Sequence, residues 1–511
     1  MPIHFTFSPS LVAIYLNQNQ IDFLKNNLIR SELINVFFEK IQLLFRGMPC
    51  CINYFEQDFL STYDFLKPIS ATDERSFLYE ILQILPESTS GDPDIDEVFF
   101  AYIPGIYPFL DSKLTKELQS RHIKYLSQYS YSENLPLGIV PYFLSREFLL
   151  EVPGNHAGSV HDFLLKNINH FDTEIFYVPP DLRQYRLNFS LSDHRSIQFS
   201  ERMYETKKDM EYSEVSSFLL DKPDMFRLGP SYIELEIIRA CENSCTFCPR
   251  SFLPKDKDGG MLDTHLIKKI IAELTSSFGL ETTFCLGGLG EPLLHPSLPD
   301  ILIELLNYKQ LQEIIIETSL YPDINKLLEY LKTLDDGQKS KISFIINLTT
   351  IDPKKYQDIY NSQIPLDSIL EKIHTLTQIL PNVHLQFLKI QEVEEELDKY
   401  FDLFEHKQGF NIILQKYNSY AGLMPEKRVT NLTPIKREFC WHLARDIYIN
   451  ANGDVSICKQ HHITQIGNLH ATDLKTIWNS GQESFRNSIR GEHEKINAPC
   501  LQCDEWYTFN A

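Results

Sequence analysis

The sequence predicts an α/β protein of several domains, and three features of the chain support this. Strand-like and helix-like segments alternate through its middle region, which is typical of a parallel sheet with helical crossovers. The 511 residues exceed what a single hydrophobic core usually holds. Hydrophobic residues make up 43% of the chain, with 34 Phe and 25 Tyr, which gives ample material for buried cores and argues against disorder.

The alternating segments run from residue 231 to residue 420. β-Rich composition predicts strands at 232–238, 282–286, 313–317, 343–348 and 383–390. Apolar residues at helical spacing predict helices at 262–274, 298–306, 324–334 and 369–379. These segments make roughly six strand–helix units, and the loops at the carboxyl ends of such strands are where cofactors bind.

One of these loops contains three cysteines, Cys241, Cys245 and Cys248, directly after the first strand of the series. Thiolates are soft ligands for iron and zinc. A structural zinc site needs four ligands, usually in two separated pairs, and no fourth Cys or His lies beside this loop. Three thiolates can hold three corners of a [4Fe-4S] cluster and leave one iron open for a ligand. The spacing therefore predicts a reactive metal centre.

With the aromatic Phe247 before its last cysteine, this loop resembles the signature of the radical S-adenosylmethionine (radical SAM) enzymes. The resemblance implies that the open iron binds S-adenosylmethionine (SAM), and that an electron from the cluster cleaves it to methionine and a hydrogen-abstracting 5′-deoxyadenosyl radical. It also implies that residues 230–425 form a partial (β/α)6 barrel. An electron donor such as flavodoxin or ferredoxin is expected as a partner.

A glycine-rich loop, Gly-Gly-Leu-Gly-Glu-Pro at 287–292, follows the second strand of the series. Glycine allows the backbone to come close to a ligand, although such a loop can also be a structural turn. The radical SAM family has a Gly-Gly-Glu-Pro motif at this place, which contacts the methionine part of SAM. The resemblance thus assigns cofactor binding to Gly287, Gly288, Gly290, Glu291 and Pro292.

Residues 347–356 resemble a further family segment that usually begins Ser-Leu-Asp. Asn347 stands where the Ser is usual, and Thr349 where the Asp is usual. The amide of Asn347 can form a hydrogen bond with a ribose hydroxyl. A strand-end Asn without a role in binding is the alternative.

Four further cysteines, Cys440, Cys458, Cys500 and Cys503, predict a second metal site near the carboxyl terminus. Asn-Gly at 452–453 between two β-rich runs predicts a hairpin that brings Cys458 close to Cys440. A helix capped by Asp473 is expected at 474–489.

This pattern resembles the SPASM and twitch extensions of radical SAM enzymes. A full SPASM domain has more cysteines than this chain supplies. The resemblance therefore implies one auxiliary [4Fe-4S] cluster in a small α+β domain at 426–511, with zinc as the alternative metal.

Residues 1–200 predict a separate α/β domain, with a strand at 97–101, a helix from about Ser112 and a strand at 174–178. This region resembles sugar-nucleotide cytidylyltransferases, which have a GT-A-like fold. It lacks their Gly-rich nucleotide loop, since the first glycine is Gly47, and Ile106-Tyr107 stand in place of the metal-binding Asp. We interpret it as a degenerate binding or scaffold domain, with an unrelated α/β domain as the alternative.

Residues 201–229 are expected to be a linker between the two regions. The whole arrangement is similar to the family called spiro-SPASM proteins. This resemblance does not identify a substrate.

Charge and composition restrict the remaining function classes. A net charge of −21 makes a general nucleic-acid binder improbable. No apolar run approaches the roughly 20 residues of a membrane span, and no signal-peptide pattern is present. Ten cysteines without such a signal favour metal ligation in a reducing cytoplasm.

The expected function is therefore radical SAM chemistry on a peptide, a protein side chain or a small metabolite. Modification of a sugar or envelope precursor and a non-catalytic iron–sulfur sensor or scaffold are the alternatives. Residues 416–420 contain no Asp that could act as a catalytic base. Cys50, Cys51 and Cys285 fit no ligand spacing, and Cys285 is expected to be a core thiol.

Overall fold

The computed structural model describes residues 8–27, 31–54, 56–87, 98–154, 156, 158–253, 260–406, 408–461, 464–496 and 498–507. The chain divides into two compact units, Met1–Met225 and Phe226–Ala511. The described part of the chain contains no helix that is both long enough and apolar enough to cross a membrane.

The first unit is built on a seven-stranded mixed sheet with the order β3-β2-β1-β4-β6-β5-β7. Strand β6 runs antiparallel to its two neighbours, and the other pairs are parallel. The strands are β1 Val12–Ile14, β2 Cys50–Ile52, β3 Leu66–Pro68, β4 Phe99–Ile103, β5 Tyr129–Ser132, β6 Tyr142–Ser145 and β7 Thr173–Phe176. The helices are α1 Gln18–Asn27, α2 Ser31–Leu44, α3 Gln57–Thr62, α4 Glu74–Ile84, α5 Ser112–Lys124, α6 Arg146–Glu151, α7 Val160–Lys166, α8 His194–Thr206 and α9 Tyr212–Asp221.

The elements expected in this unit are present. The strand predicted at 97–101 is present as β4, which begins at Phe99 and ends at Ile103. Residue 97 lies outside the described residues. Helix α5 begins at Ser112, and its N-cap Asp111 accepts hydrogen bonds from the amides of Lys113 and Leu114. The likeness to nucleotidyltransferases stays a prediction.

The segment expected to be a linker, 201–229, is largely helical. Its helix α9 buries Tyr212, Val215 and Leu219, which follow one another at helical spacing and so form an apolar stripe. Several charged residues of this segment, among them Glu205, Lys208 and Glu211, are exposed. The domain boundaries at 200, 230 and 425 themselves stay predictions.

The second unit contains six parallel strands in chain order, as expected for a partial (β/α)6 barrel. These strands are β8 Tyr232–Leu235, β9 Thr282–Leu286, β10 Leu311–Thr318, β11 Ile342–Asn347, β12 Asn382–Lys389 and β13 Asn411–Lys416. The helices that accompany them are α10 Thr264–Ser277, α11 Leu298–Leu306, α12 Asn325–Lys332, α13 Asp336–Ser340, α14 Pro353–Tyr360, α15 Leu366–Thr377 and α16 Leu397–Phe401, which is followed by a π-helical turn at Asp402–His406.

The carboxyl-terminal region extends this sheet at the edge of β8. Strand β14 Asp446–Ile449 pairs parallel with β8, and β15 Asp454–Ser456 and β16 Gly467–Asn468 continue antiparallel. The hairpin predicted around Asn-Gly 452–453 is the connection between β14 and β15. The remaining helices are α17 His442–Arg445, α18 Leu474–Ser480, α19 Gln482–Ile489 and α20 Ala498–Gln502.

The single helix predicted at 474–489 is wrong, because α18 ends before Gly481 and α19 begins after it. At this point the backbone passes close to the Arg227 guanidinium, which would contact a Cβ added at Gly481 at 2.7 Å. The predicted cap is confirmed, since the Asp473 side chain accepts a hydrogen bond from the amide of Thr476.

The two faces of the six-stranded sheet differ in what covers them. One face packs against the helices in a large apolar core that includes Ile233, Phe284 and Phe344. The opposite face, which we call the inner face, carries a smaller buried cluster of Tyr232, Cys285, Ile315 and Ile345. Cys285 is therefore a core thiol, as expected from its apolar strand.

Candidate active site

The three-cysteine loop leaves the carboxyl end of β8 and is held by the last turn of α14. The amide of Ser244 donates to the carbonyl of Tyr360 at 3.2 Å, and that of Thr246 to the carbonyl of Ile359 at 2.8 Å. Carbonyls at the end of a helix lack partners within the helix, so they are natural acceptors for a neighbouring loop. The Arg250 guanidinium adds a hydrogen bond of 2.7 Å to the carbonyl of Cys241. The loop is thus fixed by hydrogen bonds to its own backbone amides and carbonyls.

The thiols of Cys241, Cys245 and Cys248 lie close together. Burial raises the pKa of all three, and the pKa of Cys245 is raised further by Cys248 and Cys241. Buried neighbouring thiols are poorly placed to become thiolates alone, and a bound metal supplies the positive charge that deprotonates them. This donor set fits three irons of a cubane cluster.

Among the described residues, no three His, Cys, Asp or Glu groups converge closely enough to hold one metal ion. That finding does not bear on a cubane, because a cubane binds each thiolate at a separate iron.

The glycine-rich loop at the end of β9 lies directly against the cysteine loop. A Cβ added to Gly290 would overlap the carbonyl oxygen of Ile238, so only glycine fits this approach of two backbones. The amide of Glu291 donates to the carbonyl of Ala240 at 2.9 Å. The two loops that the sequence singled out are therefore interlocked at adjacent strand ends.

The side chain of Glu291 points into the protein and ties the glycine-rich loop to β10. Its carboxylate accepts hydrogen bonds from the hydroxyl of Thr318 at 2.6 Å, from the hydroxyl and amide of Ser319 at 2.9 and 3.1 Å, and from the amide of Leu293 at 3.2 Å. Burial raises the pKa of Glu291, and these hydrogen bonds oppose the rise. The carboxylate thus fixes the shape of the loop, and the backbone of 287–292 remains to contact a ligand.

Phe247 and Asn347 meet around Tyr360. The rings of Phe247 and Tyr360 are 5.4 Å apart in an edge-on arrangement. The Tyr360 hydroxyl donates to the side-chain oxygen of Asn347 at 2.7 Å, and the Thr349 hydroxyl donates to the same oxygen at 3.1 Å. The side chain of Asn347 is thus held in one orientation beside the cysteine loop, and its role in binding ribose stays a prediction.

Cys440, Cys458, Cys500 and Cys503 are brought together by the carboxyl-terminal region. Burial raises the pKa of Cys458, and the nearby Cys500, Cys503 and Cys440 raise it further. Burial likewise raises the pKa of Cys500 to about 11 and that of Cys503 to about 12. The hairpin between Cys440 and Cys458 and helix α20 deliver the four thiols to one place, as the sequence predicted.

Backbone contacts arrange this second thiol group as well. The amide of Glu505 donates to the Cys503 sulfur at 3.3 Å, a contact of the kind that tunes iron–sulfur clusters. The amide of Cys440 donates to the Ser488 hydroxyl at 2.9 Å. Four buried thiols with such contacts fit a closed four-ligand cluster.

Charged side chains line the inner face between the two cysteine groups. Burial raises the pKa of Glu234 to about 7, although Lys459 at 3.7 Å opposes this rise. Both residues, together with Cys458, line a small cavity of about 20 Å³. Glu317 projects from β10 over Gly287, and its carboxylate makes no hydrogen bond or ion pair with a described residue.

Several residues of this site were not found from the sequence. Tyr360 and Thr318 act through hydroxyl groups whose partners lie on other segments of the chain, and no local motif marks such contacts. Glu234 and Glu317 occupy alternate positions of β-rich segments, where a charged residue on an otherwise apolar strand is the only available signal.

Two family models match the chain. The radical SAM superfamily model matches residues 235–404. The model of SPASM, an iron–sulfur cluster-binding domain, matches residues 440–504. A protein of Treponema pallidum (strain Nichols), described as uncharacterized, is 27% identical over 363 residues, which cover 69% of this chain and 98% of the relative.

Solved structures of low identity are also similar to parts of the chain. SuiB of Streptococcus suis bound to the precursor peptide SuiA is 15% identical, with 70% of this chain and 86% of that chain covered and a TM-score of 0.42. BtrN in complex with AdoMet and 2-DOIA is 20% identical; the match covers 55% of this chain and 98% of that chain, with a TM-score of 0.36. The anSMEcpe protein with bound AdoMet is 13% identical; the match covers 55% of this chain and 84% of that chain, with a TM-score of 0.38.

The ranges matched by the two family models contain the seven cysteines of both thiol groups.

Proposed function

We propose that this chain, a radical SAM enzyme with a carboxyl-terminal SPASM domain, abstracts a hydrogen atom from a peptide, a protein side chain or a small metabolite. These two domains imply three cofactors, which are a [4Fe-4S] cluster, SAM and an auxiliary cluster. When bound, the first cluster supplies the electron that cleaves SAM into methionine and the hydrogen-abstracting 5′-deoxyadenosyl radical.

The interlocked loops at the ends of β8 and β9 are the observation that carries this proposal. Cys241, Cys245 and Cys248 would hold the cluster, and the backbone of residues 287–292 would hold the methionine part of SAM. A sensor or scaffold protein needs the thiols but not a glycine-rich loop fitted against them. The close contact between Gly290 and Ile238 and the anchored Glu291 carboxylate therefore favour catalysis over the non-catalytic alternative.

The inner face of the barrel supports a role for its charged residues in holding the substrate. Glu317 lies beside Gly287, and its carboxylate can accept a hydrogen bond from a donor group of the substrate. The Lys459 ammonium group lies 3.7 Å from the Glu234 carboxyl group on the same face. Burial raises the pKa of Tyr420. The nearby Cys248, Glu234 and Glu317 raise it further. The substrate would thus lie between the two cysteine groups.

Anaerobic reconstitution followed by iron and sulfide counts tests the proposal, together with an assay for 5′-deoxyadenosine in the presence of SAM and dithionite. We expect about eight irons per chain, as two [4Fe-4S] clusters require, and measurable 5′-deoxyadenosine. Cys245→Ala should remove about four irons and abolish 5′-deoxyadenosine. Cys285→Ala is the matched control, because this buried thiol lies in the same unit but outside both cysteine groups.

Wild-type protein that holds both clusters but neither binds nor cleaves SAM would contradict the proposed function. Flavodoxin or ferredoxin should replace dithionite as the electron source in the same assay, with loss of 5′-deoxyadenosine when the reduced donor is omitted.

A further inference from the structure

A buried carboxylate joins three segments of the second unit at the cofactor loop. Glu236 follows β8 and its side chain is fully buried. It lies between the glycine-rich loop that follows β9 and the hairpin strand β14. None of the motifs found in the sequence includes this residue.

The contacts of Glu236 connect the loop to the hairpin. Its Oε2 atom accepts a hydrogen bond from the Tyr448 hydroxyl at 2.5 Å and another from the amide of Leu289 at 3.0 Å. Its Oε1 atom accepts from the Arg239 guanidinium at 2.6 Å and from the amide of Ala451 at 3.5 Å. One carboxylate oxygen is thus shared between the cofactor loop and the carboxyl-terminal hairpin.

Gly288 fits against the same pair of residues. Its φ angle is +91°, in the region that favours glycine, and a Cβ placed there would lie 3.0 Å from the Glu236 Cβ and 3.2 Å from the Tyr448 hydroxyl. The Tyr448 side chain therefore packs directly on the backbone of the cofactor loop. The shape of this loop depends on where the hairpin places Tyr448.

The hairpin in turn is bounded by two cysteines of the auxiliary group. Cys440 precedes α17 and β14, and Cys458 follows β15 after one intervening residue. A metal cluster bound by both cysteines would fix the two ends of the hairpin relative to Cys500 and Cys503. Removing it would free the ends of the hairpin, so that Tyr448 would keep the pairing of β14 with β8 but lose the support of the cluster.

We infer that Tyr448 is a positioning residue for SAM, and that through Glu236 it makes SAM affinity depend on the auxiliary cysteine site. This inference rests on the proposed function, because it concerns the same cofactor loop. It adds a second role for the SPASM domain in this chain, since the domain supports the binding of SAM at the first cluster as well as holding its own cluster.

The test is the dissociation constant of SAM, measured by anaerobic equilibrium dialysis on reconstituted full-length protein. Tyr448→Phe keeps the ring and removes the hydroxyl, so we expect binding about tenfold weaker, as is typical when one hydrogen bond to a buried charge is lost. Tyr308→Phe is the matched control, because its buried hydroxyl donates to the carbonyl of Leu280, away from the cofactor loop. We expect this control to bind SAM within twofold of wild type.

A double-mutant cycle tests the link to the auxiliary site. Cys503→Ala removes one auxiliary ligand without changing the hairpin sequence, and we expect it to weaken SAM binding to a similar degree as Tyr448→Phe. Adding Tyr448→Phe to Cys503→Ala should then change the dissociation constant less than twofold. The electron paramagnetic resonance signal of the reduced first cluster, recorded with and without SAM, provides a readout independent of turnover.

The outcomes separate the inference from the proposed function. Unchanged SAM affinity in Tyr448→Phe overturns the inference. It is also overturned if the double mutant weakens SAM binding by the product of the two single-mutant factors, because the two changes would then act independently. Glu236→Gln provides a second variant if Tyr448→Phe does not fold, with the same expected direction. Wild-type protein that does not bind SAM contradicts the proposed function itself.

Discussion

At residue 290 the geometry of the site requires glycine, whose side chain is a single hydrogen atom. Its backbone lies against Ile238, and any side chain would displace either the cysteine loop or the glycine-rich loop. We expect Gly290→Ala to weaken SAM binding by roughly 5- to 150-fold, because overpacking of this kind costs about 1–3 kcal/mol. Equilibrium dialysis with SAM measures this.

Gly337→Ala is the control for Gly290→Ala, because it lies in the short helix α13, where alanine is favoured. SAM binding by Gly290→Ala equal to that of wild type would show that the two loops can separate without cost.

His122 makes the first unit sensitive to acid. It is buried between the rings of Phe99 and Phe143, and its Nδ1 atom lies 2.7 Å from the Ser130 hydroxyl. Burial lowers the pKa of His122 to about 3. Since its pKa in the unfolded chain is near 6.5, the unfolded state binds more protons below that pH, and stability falls as the pH decreases from about 6.5 to about 3.

The loss attributable to His122 should reach about 2 kcal/mol at pH 5. Hydrogen exchange of peptides from α5, corrected for intrinsic rates, measures this at pH 7 and pH 5. In His122→Gln the acid-dependent part of the exchange should shrink. An unchanged pH dependence in the variant would assign the effect to other groups.

At the scale of secondary-structure elements, α14 supports the cysteine loop and orients Asn347. The carbonyls of Ile359 and Tyr360 hold the loop, whereas the Tyr360 hydroxyl holds Asn347. We expect Tyr360→Phe to keep the iron of the first site but to weaken SAM binding severalfold, because Asn347 loses the hydrogen bond that orients its side chain, and a neutral hydrogen bond contributes about 0.5–1.5 kcal/mol.

Iron counts and SAM dialysis on the same Tyr360→Phe sample measure these two effects. Tyr400→Phe is the matched control, because the buried Tyr400 hydroxyl has no hydrogen-bond partner among the described residues. Loss of iron in Tyr360→Phe would mean that the side chain, and not the backbone of α14, holds the cysteine loop.

The elements near the site could largely be predicted from the sequence, and the contacts between them could not. Strand β9 and helix α11 match the predicted bounds, because apolar periodicity and turn residues are local signals. The pairing of β14 with β8 joins segments far apart in the chain, and nothing local specifies it. For the same reason the cysteines were found by their spacing, whereas Glu236 and Tyr448 were not.

At the scale of the whole molecule, both cysteine groups lie in the second unit. All seven cysteines of the two groups fall within Phe226–Ala511, and the hydrogen bonds described above for the two loops join residues of this unit. We expect residues 226–511, produced alone, to bind about eight irons and to bind SAM with the affinity of the full chain.

Anaerobic reconstitution and dialysis of this fragment, beside the full chain, measure both quantities. A fragment that folds but holds only one cluster would show that the first unit contributes to an iron site.

The bond between Tyr448 and Glu236 also has a consequence for how the protein is made. The two residues are separated by 212 positions, and β8 finds its partner β14 only after the intervening strands have been synthesised. At 5–20 residues per second, a ribosome needs about 10–40 s to pass from one to the other. The cysteine loop, which follows Glu236 closely in the chain, is therefore synthesised well before the cofactor loop can gain the support of Tyr448.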